Sequence, residues 1–388
     1  MNLRKNLGRV ASTIVATALL ASVATVPAFA AGVNGTGASE NEVTQIPVTK
    51  TITTDGNTYA PNTTFKFKVD EGAAGTLEDG EQTRPVIAGV AGGLGTVDTD
   101  GKYYFTIVST PDEDGELSGS FKFDGNITVN TTVFDNVAPG IYHYTAQEVA
   151  GNYDGIDYDT TTSFDIYVYV MVDEGENYVG YVVTTNANTP TAAGKAELAF
   201  KNDYGKDNDG THDVLIKKIV AGDQGDQNTG EFKFDVKVDG ADDELYKVVV
   251  DYDSTTENAG KDSTIVLTSG TAQEVTLKHN GTIHIYGLSE TDKYTVTEKN
   301  TTTQGSGAVV TKDGYTVTDT DNAEGSPDGT VTGTTSSDVQ NDTPTHTITN
   351  TRSTTTPTGI VMNVAPYALL VVVAVAGCFV FLRKRNEN

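Results

Sequence analysis

The stretch TFKFKV at residues 64–69 and its counterpart EFKFDVKV at residues 231–238 decide the fold. In both, Phe and Val alternate with Lys, Asp or Glu, and a period of two belongs to a half-buried β-strand because successive side chains point to opposite faces. SFDIYVYVMV at residues 163–172 adds a longer run of the β-branched and aromatic types that suit a pleated surface. Runs of this kind, bounded by Gly, Asn and Asp, recur between residues 43 and 352, and no long amphipathic-helix pattern interrupts them. The pattern predicts an all-β protein of the sandwich class.

Working outward from the two Phe-Lys-Phe strands, the chain repeats itself. Lys50 precedes Phe65 and Phe67 by 15 and 17 residues, and Lys217 precedes Phe232 and Phe234 by the same intervals. Tyr144 to Glu148 is answered by Tyr294 to Glu298, and Phe200, Lys201, Asn202 by Ile348, Thr349, Asn350. Markers in one order imply two tandem, related β domains, 43–205 and 213–352, joined by a short acidic linker from Gly205 to His212.

Both ends read as addresses. Residues 1–30 open with Arg4, Lys5 and Arg9, continue through an apolar stretch and close on Ala28, Phe29, Ala30, the pattern of a secretory signal peptide. From Ile360 to Leu382 no charge interrupts a mainly apolar span, long enough to cross a bilayer of roughly 30 Å hydrocarbon thickness, and Arg383, Lys384 and Arg385 follow at once. The middle of the chain is therefore expected outside the cell, tethered through residues 353–388.

Composition narrows the function. The chain of 388 residues carries 26 Lys and Arg against 53 Asp and Glu, a net charge of −27, and the two terminal segments hold a disproportionate share of the positive charge. So acidic an exterior repels phosphate backbones, which excludes nucleic acid as a partner. The one cysteine, Cys378, falls in the apolar span, so the exported part can form no internal disulfide and no cysteine zinc site. His143, His212, His279, His284 and His346 show no metal-ligand spacing, Asp207 to Gly210 lacks the closing Glu of a calcium loop, and no cofactor or metal is implied.

Face parity then singles out three polar residues per domain. Ile46, Val48, Lys50 and Ile52 share one side of a strand, which places an ammonium among apolar neighbours. Leu215, Lys217 and Ile219 do the same in the second domain, with Lys218 beside Ile216 and Val220 as a live alternative register; the spacing to the Phe pair favours Lys217. Leu198, Phe200 and Asn202 share a side, as do Ile348 and Asn350. A buried, unpaired charge tends to neutralise. Neutral lysine is a nucleophile, and a buried protonated Glu can polarise the Asn carbonyl and shuttle a proton as ammonia leaves, yielding a Lys–Asn amide without external help.

This constellation resembles the intramolecular isopeptide bonds of Gram-positive backbone pilins with Ig-like, CnaB-type domains, in particular the two-domain streptococcal FctA-type. The resemblance implies bonds from Lys50 to Asn202 with Glu148 as catalyst, and from Lys217 to Asn350 with Glu298. Thr355, Thr356, Pro357, Thr358, Gly359 before the apolar span resembles a variant sortase sorting signal, with cleavage between Thr358 and Gly359, although Thr355 and Thr356 replace the common Leu-Pro. Family members of this type use one lysine near the end of the first domain to join the next subunit. Lys195, seven residues before Asn202 and so of opposite parity, is the candidate. The implied partners are a sortase transpeptidase, other copies of the chain, minor pilins, peptidoglycan and a host surface. The alternatives are a monomeric wall-anchored adhesin or a minor pilin, and an extracellular glycosidase; against the last, Glu148 and Glu298 occupy equivalent points of two domains instead of one cleft.

Overall fold

A computed structural model describes residues 42–79, 82–115, 117–186, 195–205, 211–303, 309–319, 330–334 and 344–354. The expected signal peptide, the sorting signal with Thr358 and Gly359, and the apolar span with its basic tail lie outside the described residues. The chain is all-β; its helical elements among the described residues are short 3-10 turns such as Thr131–Val133 and Thr256–Lys261.

Two pairs of sheets enclose two separate apolar clusters. In the first pair, the opening strand Gln45–Thr53 lies between Ser120–Thr128 and the closing strand Leu198–Tyr204, with Ile156–Tyr158 at the edge. A larger sheet faces it, built on Thr63–Glu71, Gly140–Val149, Ser163–Asp173, Glu176–Asn186 and Tyr103–Ser109. Val48 and Ile52 from one sheet meet Phe67, Ile166 and Val168 from the other in one core. Alternation explains the choice of faces: along Gln45–Thr53 each even-numbered residue from Ile46 to Ile52 is buried.

The second pair reuses the plan with the sheet sizes exchanged. The opening strand His212–Ala221 and closing strand His346–Thr351 now belong to the larger sheet, while Phe232–Asp239 and Lys293–Glu298 form the smaller one with Gln273–Leu277 and Thr330–Gly333. In both pairs the opening and closing strands are parallel neighbours, which no hairpin can connect, so everything between them is one long crossover.

The hairpin Ser163–Asp173/Glu176–Asn186 turns through Glu174 (φ 50°) and Gly175 (φ 92°), two consecutive left-handed residues that match the twist of the strands they join. A further hairpin, Gly75–Asp79/Gln82–Ala88, covers the outer face of the larger first sheet, where Leu77, Val86, Ile141 and Tyr167 form a third small cluster.

Where the two halves meet, polar contacts cross directly. Tyr204 donates its hydroxyl to Glu244 (2.6 Å), Asn62 donates to the carbonyl of Asp242 (3.1 Å), Lys247 to Asn57 (2.7 Å), and Thr291 donates both its N–H (3.0 Å) and hydroxyl (2.7 Å) to Asp154. Gly205 (φ 74°) turns the chain here; a Cβ would lie 2.0 Å from the Thr211 hydroxyl. The second opening strand begins at His212, a buried residue that composition alone assigns to the linker.

Candidate functional site

Register brings the three polar residues of the first half together. The parallel pairing sets Lys50 opposite Phe200 and Ile52 opposite Asn202, so Lys50 and Asn202 sit on adjacent strands, offset by two residues and on the same inward face. Glu148 enters from the opposite sheet, where it pairs with Phe67. Its Oε2 accepts from Lys50 Nζ at 2.5 Å and its Oε1 from Asn202 Nδ2 at 2.7 Å. All three residues are buried, Lys50 completely.

The environment explains the chemistry. Lys50 Nζ lies 4.7 Å from the ring centroid of Phe65 and 5.7 Å from that of Phe67, so the ammonium has aromatic faces and one carboxylate in place of water. Burial pushes the Lys50 amine down to about 8, against the opposing pull of the Glu148 hydrogen bond and charge. The same burial pushes the Glu148 carboxyl up. The two shifts converge, which lowers the cost of passing a proton from amine to carboxylate.

The second half holds the same arrangement, built on Lys218. Lys218 stands opposite Ile348 and Val220 opposite Asn350, reproducing the two-residue offset, and Glu298 pairs with Phe234 as Glu148 does with Phe67. Lys218 Nζ donates to Glu298 Oε2 at 2.8 Å, and Asn350 Nδ2 donates to Oε1 at 2.5 Å. Phe232 and Phe234 lie 4.5 and 5.5 Å from the ammonium. Burial lowers the Lys218 amine to about 8 as well.

Lys217, the residue favoured by the spacing argument, is therefore displaced from this role. It lies on the other face of the strand, half-buried, while Val214, Ile216, Lys218 and Val220 face the core. Lys218 precedes Phe232 by one residue fewer than Lys50 precedes Phe65: Phe65 is the third residue of its strand and Phe232 the first, while the register between opening and closing strands is unchanged. Leu215 is also buried, so apolar character alone does not distinguish the two faces of this strand.

The triads differ at the asparagine oxygen. Asn202 Oδ1 accepts the backbone N–H of Asp159 at 3.0 Å. Asn350 Oδ1 is buried and finds no hydrogen-bond partner among the described residues. Sequence reasoning missed Asp159; the available signal was the Asp-Thr-Thr-Thr turn at residues 159–162, where the carboxylate accepts from Thr161 and Thr162. In neither triad does the glutamate face the asparagine oxygen as expected; it faces the nitrogen.

Lys195 is exposed and forms an isolated bridge with Thr185; the closing strand begins at Leu198, so strand parity does not reach Lys195. Lys201, its neighbour in sequence, is exposed on the closing strand itself.

Similarity to known proteins covers most of the chain. A family model described as a domain of unknown function (DUF7601) matches residues 212–352. The chain is 28% identical over 354 residues to a pilin of Streptococcus pyogenes serotype M1, covering 88% of this chain and 91% of the relative. Among solved structures, the major pilin from Streptococcus pyogenes is similar with a TM-score of 0.48 at 22% identity, covering 80% of this chain and 98% of that one. The T3.2 major pilin protein from serotype GAS13637 of that species gives a TM-score of 0.48 at 20% identity, with the same coverages.

Proposed function

We propose that this chain, homologous to a streptococcal pilin over nearly the full length of both, is the structural shaft subunit of a covalently joined cell-surface pilus. It consists of two Ig-like, CnaB-type sandwich domains, 43–205 and 213–352, each clamped by an isopeptide bond it makes itself: Lys50 to Asn202, and Lys218 to Asn350. The observation that carries this reading is the repeated triad, in which one buried carboxylate touches both the lysine and the asparagine nitrogen.

The geometry gives each atom a task. Lys50 passes a proton to Glu148 Oε2, and the freed amine attacks Cγ of Asn202. A Nζ–Cγ bond forms and the Cγ–Nδ2 bond breaks. Nζ loses a second proton, Nδ2 gains one, and ammonia leaves, so that the ammonium, carboxylate and carboxamide become an amide, a protonated Glu148 and NH3. Glu298 serves Lys218 and Asn350 in the same way.

The bond position also sets the load path. Tension on the two ends of a domain shears two parallel neighbouring strands. A bond between those strands takes the force, and the roughly 150 residues of crossover, worth about 500 Å when extended, stay folded.

Joining of subunits completes the reading: a sortase cuts between Thr358 and Gly359 and transfers Thr358 to a lysine of another copy, Lys195 being our candidate, with minor pilins and peptidoglycan at the fibre ends. Intact mass of the mature chain tests the clamps. Two bonds release two ammonias, about 17 Da each. A mature chain at its full calculated mass would end the proposal.

A further inference from the structure

We propose that the backbone N–H of Asp159 is an oxyanion donor for the first isopeptide bond, a part that no N–H of the described residues plays at Asn350. This inference rests on the reading of the triads given above. The assignment of the Asn202 amide is fixed by its partners: an N–H can donate only to Oδ1, and the Glu148 carboxylate can accept only from Nδ2. Attack of Lys50 on Cγ places negative charge on Oδ1, where the Asp159 N–H already points from 3.0 Å. A donor aimed in advance at a developing charge, in a site buried from solvent, needs no reorganisation during the reaction. The contact also holds the amide in the rotamer that turns Nδ2, the leaving group, toward the carboxylate that exchanges protons with it.

The loop is built to hold this N–H. Asp159 Oδ1 accepts the N–H of Thr161 (3.0 Å) and of Thr162 (3.1 Å) as well as the Thr161 hydroxyl (2.7 Å), Thr162 donates its hydroxyl to the other oxygen, and Thr160 N–H returns to the Tyr158 carbonyl (2.9 Å). Gln147, next to Glu148, donates to the Thr160 carbonyl, tying the loop to the glutamate strand. In the second domain Val317 stands opposite Asn350 as Tyr158 stands opposite Asn202, but the strand continues through Thr318 and Asp319, and Asn350 Oδ1 receives no N–H among the described residues.

The test follows newly synthesised full-length chains by pulse-chase, digesting them and quantifying separately the cross-linked peptides that contain Lys50 with Asn202 and Lys218 with Asn350. Asp159→Pro removes the N–H and should slow the first cross-link by roughly 10²–10³-fold while leaving the second, the internal clock, unchanged. Asp159→Ala keeps the N–H but loses the side-chain turn that holds it, and should fall between the native and the proline rates. An unaltered first cross-link in Asp159→Pro, or an Asp159→Ala as slow as the proline variant, overturns the proposal. Should Asp159→Pro unfold the first domain, Gln147→Ala, which unties the loop from the glutamate strand, decides: the first cross-link must slow relative to the second, and an unchanged ratio overturns the oxyanion role. If neither cross-link appears in the native chain, the isopeptide reading itself fails and this inference falls with it, a result distinct from cross-links that form but ignore the proline.

Discussion

Replacing Lys218 with Met separates the register seen in the structure from the one that sequence spacing favours. Methionine keeps most of the apolar stem volume, so the core around Phe232 and Phe234 stays filled, but it has no nucleophile. The main loss is the clamp. A bond between residues 218 and 350 closes a loop whose restraint on the unfolded chain, by analogy with a disulfide, is worth about 5 kcal/mol. Exchange of the buried ion pair for an apolar side chain adds little, because the cost of desolvating the pair offsets most of its attraction. For a domain of this size, about 5 kcal/mol corresponds to a fall in Tm of about 15–20 °C. Lys217→Met changes a half-buried residue on the outer face and should move Tm by about 2 °C or less. Differential scanning calorimetry gives the shifts, and intact mass gives the bond count: Lys218→Met should retain one ammonia more than the native chain, about 17 Da after allowing for the substitution, and Lys217→Met none. A Lys218→Met chain that still loses both ammonias, or a Lys217→Met chain that loses only one, would refute the register and the chemistry derived from it.

Three further expectations follow from the same geometry. Lys50 and Glu148 share one proton, and loss of that proton as pH rises past about 8 leaves an amine facing an ionised carboxylate with no proton in hand for the departing nitrogen; formation of the first bond, timed by mass spectrometry on nascent chains, should be flat toward neutrality and slow above that point, and acceleration instead would show that the glutamate supplies no acid. Glu298→Gln should abolish the second bond and also strand a buried ammonium against an amide, costing about 3–5 kcal/mol in chemical denaturation beyond the loss of the clamp, whereas a variant no less stable than Lys218→Met would contradict the charge argument. At the domain junction, burial and the neighbouring Glu244 push the Asp292 carboxyl up to about 7, so the folded state keeps a proton that the unfolded chain releases near 4; stability should decline as pH rises from about 4 through 7 and level off above, and Asp292→Asn should flatten that slope in melting curves, its persistence counting against the assignment.

The inward faces were legible because alternation is local: Val48, Lys50 and Ile52, or Phe200 and Asn202, declare their side through their immediate neighbours. The glutamates were legible as repeat markers, since each follows a Tyr by four residues in a strand of similar composition. What failed was distance counted along the chain. The interval from Lys50 to Phe65 runs through a loop, and loops gain or lose a residue without disturbing the sheets they join, so an interval copied from one domain to the other missed Lys218 by one. The Asp159 N–H was invisible for a different reason: every residue except proline has one, and only tertiary placement gives it a role. The hydrogen bond from Tyr204 to Glu244 likewise depends on how one domain is set against the next, which no periodicity encodes.

The invariant between the two domains is thus spatial. Sheet sizes are exchanged, the loops differ, and one asparagine oxygen has a donor while the other has none among the described residues, yet two relations persist: a parallel offset of two residues between lysine and asparagine, and a glutamate paired across strands with the second Phe of a Phe-Lys-Phe run. The first relation places the two nitrogens on one sheet, and the second aims one carboxylate at both from the other. Any change that keeps these relations keeps lysine, glutamate and asparagine in contact, which is how the surrounding sandwich can vary while the triad remains. By the same logic the glutamate, which alone of the three reaches across the core, ties bond formation to closure of the two sheets. A chain whose sheets have not yet packed has its lysine in water, charged and apart from the carboxylate, so the proposed cross-link can form only once the domain has folded.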